Sequence, residues 1–204
     1  MAHWDGPGLD AWRPWTPAAA AERLAGAGVG WCVVGGWAVE LFVGRPVRPH
    51  HDLEIAVLRP DFPAVRAALA GYRFHVVGGG EVRALPEGEE PPADRHQNWV
   101  LDVGARAWRM DVMLEPGDAT TWVFRRDPAI AAPRAAMVDR TPAGIPFLRP
   151  EGTLLFKAKA PGPKDEIDLA ACLPRMAPAA RSWLADALRR AHPGHPWIEV
   201  VTAG

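Results

Sequence analysis

The stretch GGWAVELFVGRPVRPHHDLEIAV, residues 35–57, decides the fold of this chain. It follows the apolar run WCVV, which predicts a short buried strand. Gly35 and Gly36 then precede an apolar segment at 37–43, which predicts a helix. A glycine pair between a strand and a helix lets an anion approach the backbone N–H groups at the positive end of the helix. The stretch therefore predicts a strand–turn–helix unit that is suited to phosphate.

Two carboxylates stand near the end of the same stretch. Residues 53–58 alternate as a strand, and Asp52 and Glu54 lie two positions apart at its start. Because the side chains of a strand alternate between its two faces, both carboxylates project from one face. His50 and His51 precede them without a cysteine or histidine at zinc spacing. We therefore expect one of these histidines to orient a carboxylate or to contact phosphate.

A third carboxylate lies in a predicted β-hairpin. Residues 98–103 and 108–114 read as strands that are joined by the turn at 104–107. Asp111 falls in the middle of the second strand, where an ionised carboxylate facing a core is costly unless it is paired or binds a cation. Asp102, on the first strand, takes the place of Asp111 if the predicted register is wrong by one strand.

The combination of these features is more specific than any one of them. An acid at a strand edge is often a surface residue, and a glycine pair is often only a turn. Three carboxylates that converge on one sheet face, however, offer the oxygen ligands that Mg²⁺ prefers when phosphates and water complete its coordination. Together with a phosphate-binding helix start, they describe a two-metal site for phosphoryl or nucleotidyl transfer.

The composition excludes several other classes of protein. Of 204 residues 49% are apolar, and Lys+Arg 23 against Asp+Glu 24 leave a net charge of -1. This balance argues against a protein that coats nucleic acid or an anionic membrane. Two cysteines are too few for a disulfide framework, and the first residues lack the basic and apolar regions of a signal peptide. We therefore expect a cytoplasmic protein with no membrane and no nucleic-acid partner.

The last third of the chain reads as helical. Before it, residues 122–126 and 145–148 read as short edge strands. From residue 150 onward the pattern predicts three helices, at 150–160, 164–173 and 178–191.

All the lysines of the chain lie in this helical part. Lys157, Lys159 and Lys164 fall in one short segment, whereas the other basic residues are arginine. A lysine is a compact charge on a flexible stem that reaches a phosphate readily. We expect Lys157 or Lys164 to contact a triphosphate, with Asp165 and Asp168 fixing the lysines or the acceptor. The alternative is that these residues are solvated charges and helix caps.

The chain also has ten tryptophans. We expect most of those in predicted strands to pack in the core or on a sheet face. Trp37 follows the glycine pair, and it is the tryptophan that we expect near a nucleotide or an acceptor.

Residues 35–57 are similar to the signature of the nucleotidyltransferase superfamily, in which a glycine pair opens a helix and a carboxylate pair follows. The chain most resembles the aminoglycoside 2''-adenylyltransferase-like branch. The resemblance extends to WVFRRDP, to PEGTLLFKAKAPGPKDEIDLAACLP and to the closing PGHPW. The sequence departs from the Asp-x-Asp form of the family at Glu54, whose longer arm still offers oxygen ligands.

The resemblance implies an α+β fold with a polymerase-β-type core, a mixed sheet flanked by helices. This core would span residues 1–148, with a helical C-terminal segment, 149–204, packed on it. The implied reaction is the transfer of a nucleoside monophosphate, which we expect to be AMP from ATP, to an acceptor hydroxyl. A small molecule such as an aminoglycoside-like compound is the implied acceptor.

The resemblance also implies the residues of the site. Two Mg²⁺ ions would be held by the three carboxylates, which are also the catalytic residues: Asp52, Glu54 and Asp111. The nucleotide would be bound by the glycine pair, its neighbouring tryptophan and two lysines: Gly35, Gly36, Trp37, Lys157 and Lys164. We expect the protein to be a monomer or a homodimer.

Two other readings of the sequence stay open. The first is a catalytically weak nucleotide-binding or toxin–antitoxin-type regulatory protein on the same fold, and Glu54 is the feature that favours it. The second is a structural or interaction module, which requires the three carboxylates to point apart.

Overall fold

The computed structural model describes residues 6–203. The helices are α1 Pro17–Leu24, α2 Gly35–Val43, α3 Phe62–Ala68, α4 Arg134–Met137, α5 Pro150–Lys157, α6 Pro163–Cys172, α7 Pro178–Ala191 and α8 Trp197–Thr202. The strands are β1 Trp31–Val34, β2 Glu54–Leu58, β3 Arg73–Gly78, β4 Glu81–Leu85, β5 Gln97–Asp102, β6 Ala107–Glu115, β7 Thr121–Val123, β8 Ala131–Pro133, β9 Val138–Arg140 and β10 Pro146–Leu148. The predicted α+β class is confirmed.

The chain divides into two compact units, and each is interrupted once in sequence. The first unit comprises Met1–Trp31 and His51–Glu115, and the second comprises Cys32–His50 and Pro116–Gly204. The boundary predicted at residue 149 falls inside the second unit, which also includes the residues that precede the C-terminal helices.

The first unit holds a mixed sheet in the order β4, β3, β5, β6, β2. β2 runs parallel to β6, and the other neighbours are antiparallel. One face of this sheet is apolar, with Ile55, Val100 and Val112 among its fully buried residues. Helix α3 contributes Phe62 and Val65 to the same buried core. The opposite face carries the polar residues described below.

The predicted hairpin is confirmed as β5 and β6, and it determines the position of the third carboxylate. The two strands pair from Gln97↔Met113 to Asp102↔Ala107, with a register shift between Val100 and Leu101. β3 likewise pairs back onto β4. The hairpin of β5 and β6, with its one register shift, thus forms the middle of the sheet.

The second unit combines short strands with most of the helices. β1 pairs in parallel with β10, which pairs antiparallel with β9, and β7 pairs with β8. The prediction of an edge strand at 145–148 is wrong, because β10 lies between two strands and all three of its residues are buried. A run of buried apolar residues does not reveal from sequence alone how many neighbours a strand has.

The helical C-terminal third is confirmed as α5, α6 and α7, and the last of these has the bounds that were predicted. Helix α8, which begins at Trp197, was not predicted. Helix α2 begins at Gly35, two residues earlier than predicted. In the part of the chain that the structure describes, no helix is long and apolar enough to cross a membrane.

Candidate active site

The parallel pairing of β2 and β6 brings two of the predicted carboxylates side by side. Glu54 is the register partner of Asp111, and the Asp111 N–H donates to the carbonyl of Leu53 at 2.8 Å. Because register partners on neighbouring strands share a face, both carboxylates project from the same side of the sheet. Asp52, two residues before Glu54, is close enough to raise the pKa of Asp111.

Asp111 is the buried member of this carboxylate group, with an exposed fraction of 2%. Its Oδ2 accepts a hydrogen bond from Gln97 Nε2 at 2.8 Å, and its Oδ1 accepts one from the Asn98 N–H at 3.2 Å. Burial raises the pKa of the Asp111 carboxyl to about 7, and the charges of Glu54 and Asp52 add to the rise, against the two hydrogen bonds. A proton or a cation near Asp111 would relieve this repulsion.

The donor chemistry of the three carboxylates fits a hard divalent cation. Oxygen ligands are those that Mg²⁺ prefers, and burial, followed by the charges of Glu54 and Asp52, raises the pKa of Asp111. Within residues 6–203, however, no group of three or more Asp, Glu, His or Cys side chains is arranged to hold a metal ion.

Asp102, the alternative third carboxylate, is the last residue of β5, next to the hairpin turn. Its Oδ1 accepts from the Ala105 N–H at 3.0 Å, and its Oδ2 accepts from Arg109 Nε and Nη2 at 3.2 and 3.1 Å. The Ala105 N–H and the Arg109 guanidinium hold the pKa of the Asp102 carboxyl below its usual range. These contacts make Asp102 a cap of the hairpin turn. Asp111, by contrast, is the acid that stands in register with Glu54 on the neighbouring strand.

In the second unit, the glycine pair supports close packing at the start of α2. Gly35 has φ +65°, in the left-handed region that favours glycine. A Cβ at Gly36 would overlap Arg48 Nη2 and would lie 2.8 Å from the His50 ring. The lack of a Cβ at Gly36 thus leaves room for the side chains of Arg48 and His50 against this backbone.

Trp37 and His50 form a stacked pair beside the glycines, with ring centroids 4.4 Å apart and an interplanar angle of 27°. His50 Nε2 lies 2.9 Å from Glu40 Oε1. The same oxygen accepts the N–H groups of Val47 and Arg48, at 2.7 and 3.1 Å. Burial would raise the pKa of Glu40, but these hydrogen bonds and His50 outweigh it and lower the pKa. Glu40 thus stabilises the segment that follows α2 through hydrogen bonds to its backbone.

Lys157 is part of a buried charge network. Its Nζ lies 2.8 Å from Asp165 Oδ1 and 2.9 Å from Asp168 Oδ2. Asp168 is fully buried, and it also accepts Arg48 Nε and Nη2, both at 2.9 Å. Burial would lower the pKa of Lys157, but its bonds to the two aspartates raise it. We call these four residues the Asp168 network. Lys164, by contrast, is exposed at the start of α6.

Sequence reasoning missed several residues of this arrangement. Gln97 holds Asp111 through its side-chain amide, and Asn98 does so through its backbone N–H. Only the polarity of Gln97, one residue before the predicted strand, signalled a role. The bidentate contact of Arg48 with Asp168 joins residues 120 positions apart, a separation that no local pattern reveals.

A comparison with known protein families finds a match in the first half of the chain. The sequence model of the family described as aminoglycoside-2''-adenylyltransferase matches residues 18–83. This match includes the glycine pair, Asp52 and Glu54. The chain resembles the aminoglycoside adenylyltransferase branch of the nucleotidyltransferases. No curated protein sequence matches it.

The nucleotidyltransferase fold extends beyond the matched segment. The crystal structure of ANT(2")-Ia in complex with adenylyl-2"-tobramycin is similar, with 17% identity, a TM-score of 0.50, and coverage of 86% of this chain and 94% of that chain. The solution structure of ANT(2'')-Ia, at 16% identity, covers 86% of this chain and 89% of that chain with a TM-score of 0.47. The similarity to the crystal structure of ANT(2")-Ia confirms the predicted nucleotidyltransferase fold.

Proposed function

We propose that the protein is a metal-dependent nucleotidyltransferase that transfers AMP from ATP to a hydroxyl group of a small molecule. The observation that carries this proposal is the register pairing of Glu54 with the buried Asp111 beside Asp52. A carboxylate is placed next to two others at the expense of its own ionisation, which is an arrangement expected where a cation binds. The family match over residues 18–83 supports the same reaction class.

Residues of this chain orient Asp111, which accepts the proton of the acceptor hydroxyl in the proposed reaction. Gln97 and Asn98 hold one oxygen each of the Asp111 carboxylate, so that its orientation is fixed before substrate binds. In the proposed reaction, the acceptor hydroxyl gives its proton to Asp111 while its oxygen bonds to the α-phosphorus and the bond to pyrophosphate breaks. Mg²⁺ held by Asp52, Glu54 and Asp111 would neutralise the charge of the phosphates.

The nucleotide and the acceptor follow from the resemblance. We propose that the residues expected to bind ATP are Gly35, Gly36, Trp37, Lys157 and Lys164. The similar crystal structure holds adenylyl-2"-tobramycin, which supports an aminoglycoside-like acceptor. We expect the protein to act in the cytoplasm, where ATP and Mg²⁺ are available.

A catalytically weak nucleotide-binding protein is the second candidate. It is favoured by Glu54, which stands where the family pattern has Asp. Such a protein would bind a nucleotide without transferring it.

A two-stage experiment separates these functions. The thermal stability of the protein is first measured with each of the four NTPs and Mg²⁺, because a ligand that binds the folded state raises the apparent stability. Pyrophosphate release is then measured with the bound NTP and tobramycin as the probe acceptor. Acceptor-dependent release supports the enzyme, binding without release supports the second candidate, and the absence of stabilisation by any NTP contradicts both.

Glu54→Asp should lower turnover with Mg²⁺ by about tenfold or more. The Glu arm is one methylene longer than Asp, and Mg²⁺ tolerates little displacement of its ligands. In a site adapted to Glu54, the shorter arm of Asp therefore leaves its carboxylate too far from the cation. The measurement is pyrophosphate release with Mg²⁺ and with Mn²⁺, and the exposed Glu22→Asp on α1 is the matched control. A gain of activity in Glu54→Asp, or a parent enzyme that works better with Mn²⁺, would show a decayed site instead.

A further inference from the structure

The carboxylate face of the first unit continues onto β5 as an aromatic surface. β5 and β6 are antiparallel, and Trp99 is the register partner of Asp111. Register partners share a face of the sheet, and β6 lies between β2 and β5. Across the strands, the side chains on this face therefore follow the order Glu54, Asp111, Trp99.

Trp99 belongs to a cluster of indoles with a buried base. Its ring centroid lies 5.0 Å from that of Trp12 and 5.1 Å from that of Trp108. Trp108 is fully buried, and its Nε1 donates to the Gly8 carbonyl at 3.0 Å. Trp12 and Trp99, in contrast, are both half-exposed. We call these two residues the indole wall.

The indole wall adjoins the carboxylate group. Trp99 stands opposite Asp111, and Trp12 lies 6.4 Å from the ring of His51, which immediately precedes Asp52. Single exposed aromatic residues are ordinary. Trp12 and Trp99 pack on each other and on the buried Trp108, which fixes their rings. They therefore form a binding surface of defined position beside Glu54 and Asp111.

Resting on the proposed nucleotidyl transfer, we propose that the indole wall holds the acceptor as a saturated, hydroxyl-bearing ring. The C–H face of such a ring would lie on the indoles, and a hydroxyl at its edge would point to Asp111. The indole face carries the negative part of the ring quadrupole, so C–H groups and ammonium substituents of the acceptor are attracted to it. Trp12 and Trp99 are then specificity-determining residues for the acceptor.

The order of the side chains favours the acceptor over the nucleobase. The phosphates are proposed to lie at Asp52 and Glu54, on the β2 side of Asp111. Trp99 lies on the other side of Asp111, over β5, where the group that gives its proton to Asp111 must enter. Side chains directly opposite on antiparallel strands have Cβ atoms about 5 Å apart, so a ring on Trp99 brings its edge to Asp111. A hydroxyl on a flexible chain gains nothing from this surface.

The test follows the indole Nε1–H signals of the ¹⁵N-labelled full-length protein by NMR. The probes are D-glucosamine, which is a saturated ring with hydroxyl and ammonium groups, and ethanolamine, which has both groups and no ring. Trp12→Phe and Trp99→Phe assign the two signals of the wall by their disappearance. Trp183, half-exposed in the second unit and packed against Trp122 at 6.0 Å, is the matched control.

Glucosamine should shift the Trp12 and Trp99 signals and leave Trp183 in place, ethanolamine should shift none, and the glucosamine shifts should persist when Mg²⁺ and ATP are present. No shift with glucosamine, or equal shifts with ethanolamine, overturns the indole wall as a ring platform. Loss of the glucosamine shifts on adding ATP overturns it in favour of a nucleobase site. Because the readout is binding, it is independent of whether pyrophosphate release supports the proposed reaction.

Discussion

Replacing Asp111 by asparagine should lower acceptor-dependent pyrophosphate release by about 10³-fold, within the range for loss of a positioned proton acceptor. The substitution keeps the shape of the side chain and removes its charge, so the acceptor hydroxyl loses the group that takes its proton and the cation loses a ligand. The matched control is Asp102→Asn on the same hairpin, which should retain activity within about twofold. Loss of activity in Asp102→Asn but not in Asp111→Asn would make Asp102 the third carboxylate.

The same substitution should stabilise the protein when no metal is present. Asp111 is buried, and the carboxylates of Glu54 and Asp52 oppose its charge. A neutral amide escapes both penalties, although it keeps only one of the two acceptor oxygens. Asp111→Asn should therefore raise the free energy of unfolding in EDTA by on the order of 2 kcal/mol. Denaturant unfolding at neutral pH measures this. A functional residue often lowers the stability of the folded protein, so that its inactive variant is more stable than the parent.

Asp168→Asn should have the largest effect on stability. Asp168 is fully buried, and it binds Arg48 and Lys157, whose side chains are 14% and 12% exposed. Removing its charge leaves two largely buried cations, with Asp165 and Glu40 as the remaining acids near them. Breaking a buried ion pair in this way costs about 3–5 kcal/mol, which corresponds to a fall in Tm of roughly 10 °C for a chain of this size. Thermal unfolding of the variant and the parent measures it.

The control for this prediction is Asp127→Asn. Asp127 Oδ2 lies 2.7 Å from Arg190 Nε, but the arginine side chain is 56% exposed. An exposed pair contributes less than about 1 kcal/mol, so this variant should unfold close to the parent. If Asp168→Asn is no less stable than Asp127→Asn, the Asp168 network is not structural.

The local parts of the candidate site could be predicted from the sequence. The two-residue spacing of Asp52 and Glu54 predicts a common face in a strand, although β2 begins only at Glu54. The hairpin that carries Asp111 follows from two apolar alternating runs around a turn. The glycine pair marked the start of α2, although the helix begins on the glycines themselves.

The non-local parts could not be predicted. Which of Asp102 and Asp111 stands beside Glu54 depends on the parallel register of β2 and β6, which is set by packing between distant segments. The contact of Lys157 with Asp165 and Asp168 was among the expected contacts, but the bidentate contact of Arg48 with Asp168 spans 120 positions and could not be predicted. Whether Trp99 is buried or half-exposed likewise depends on what covers the sheet face.

The most direct test of the account is the position of the cation. Crystals of the protein with Mn²⁺ and a non-hydrolysable ATP analogue give an anomalous signal that locates the metal independently of any assumption about the site. The account predicts an anomalous peak within coordination distance of the carboxylates of Asp52, Glu54 and Asp111, next to the phosphates of the analogue. A bound analogue whose Mn²⁺ lies away from these three carboxylates would contradict it.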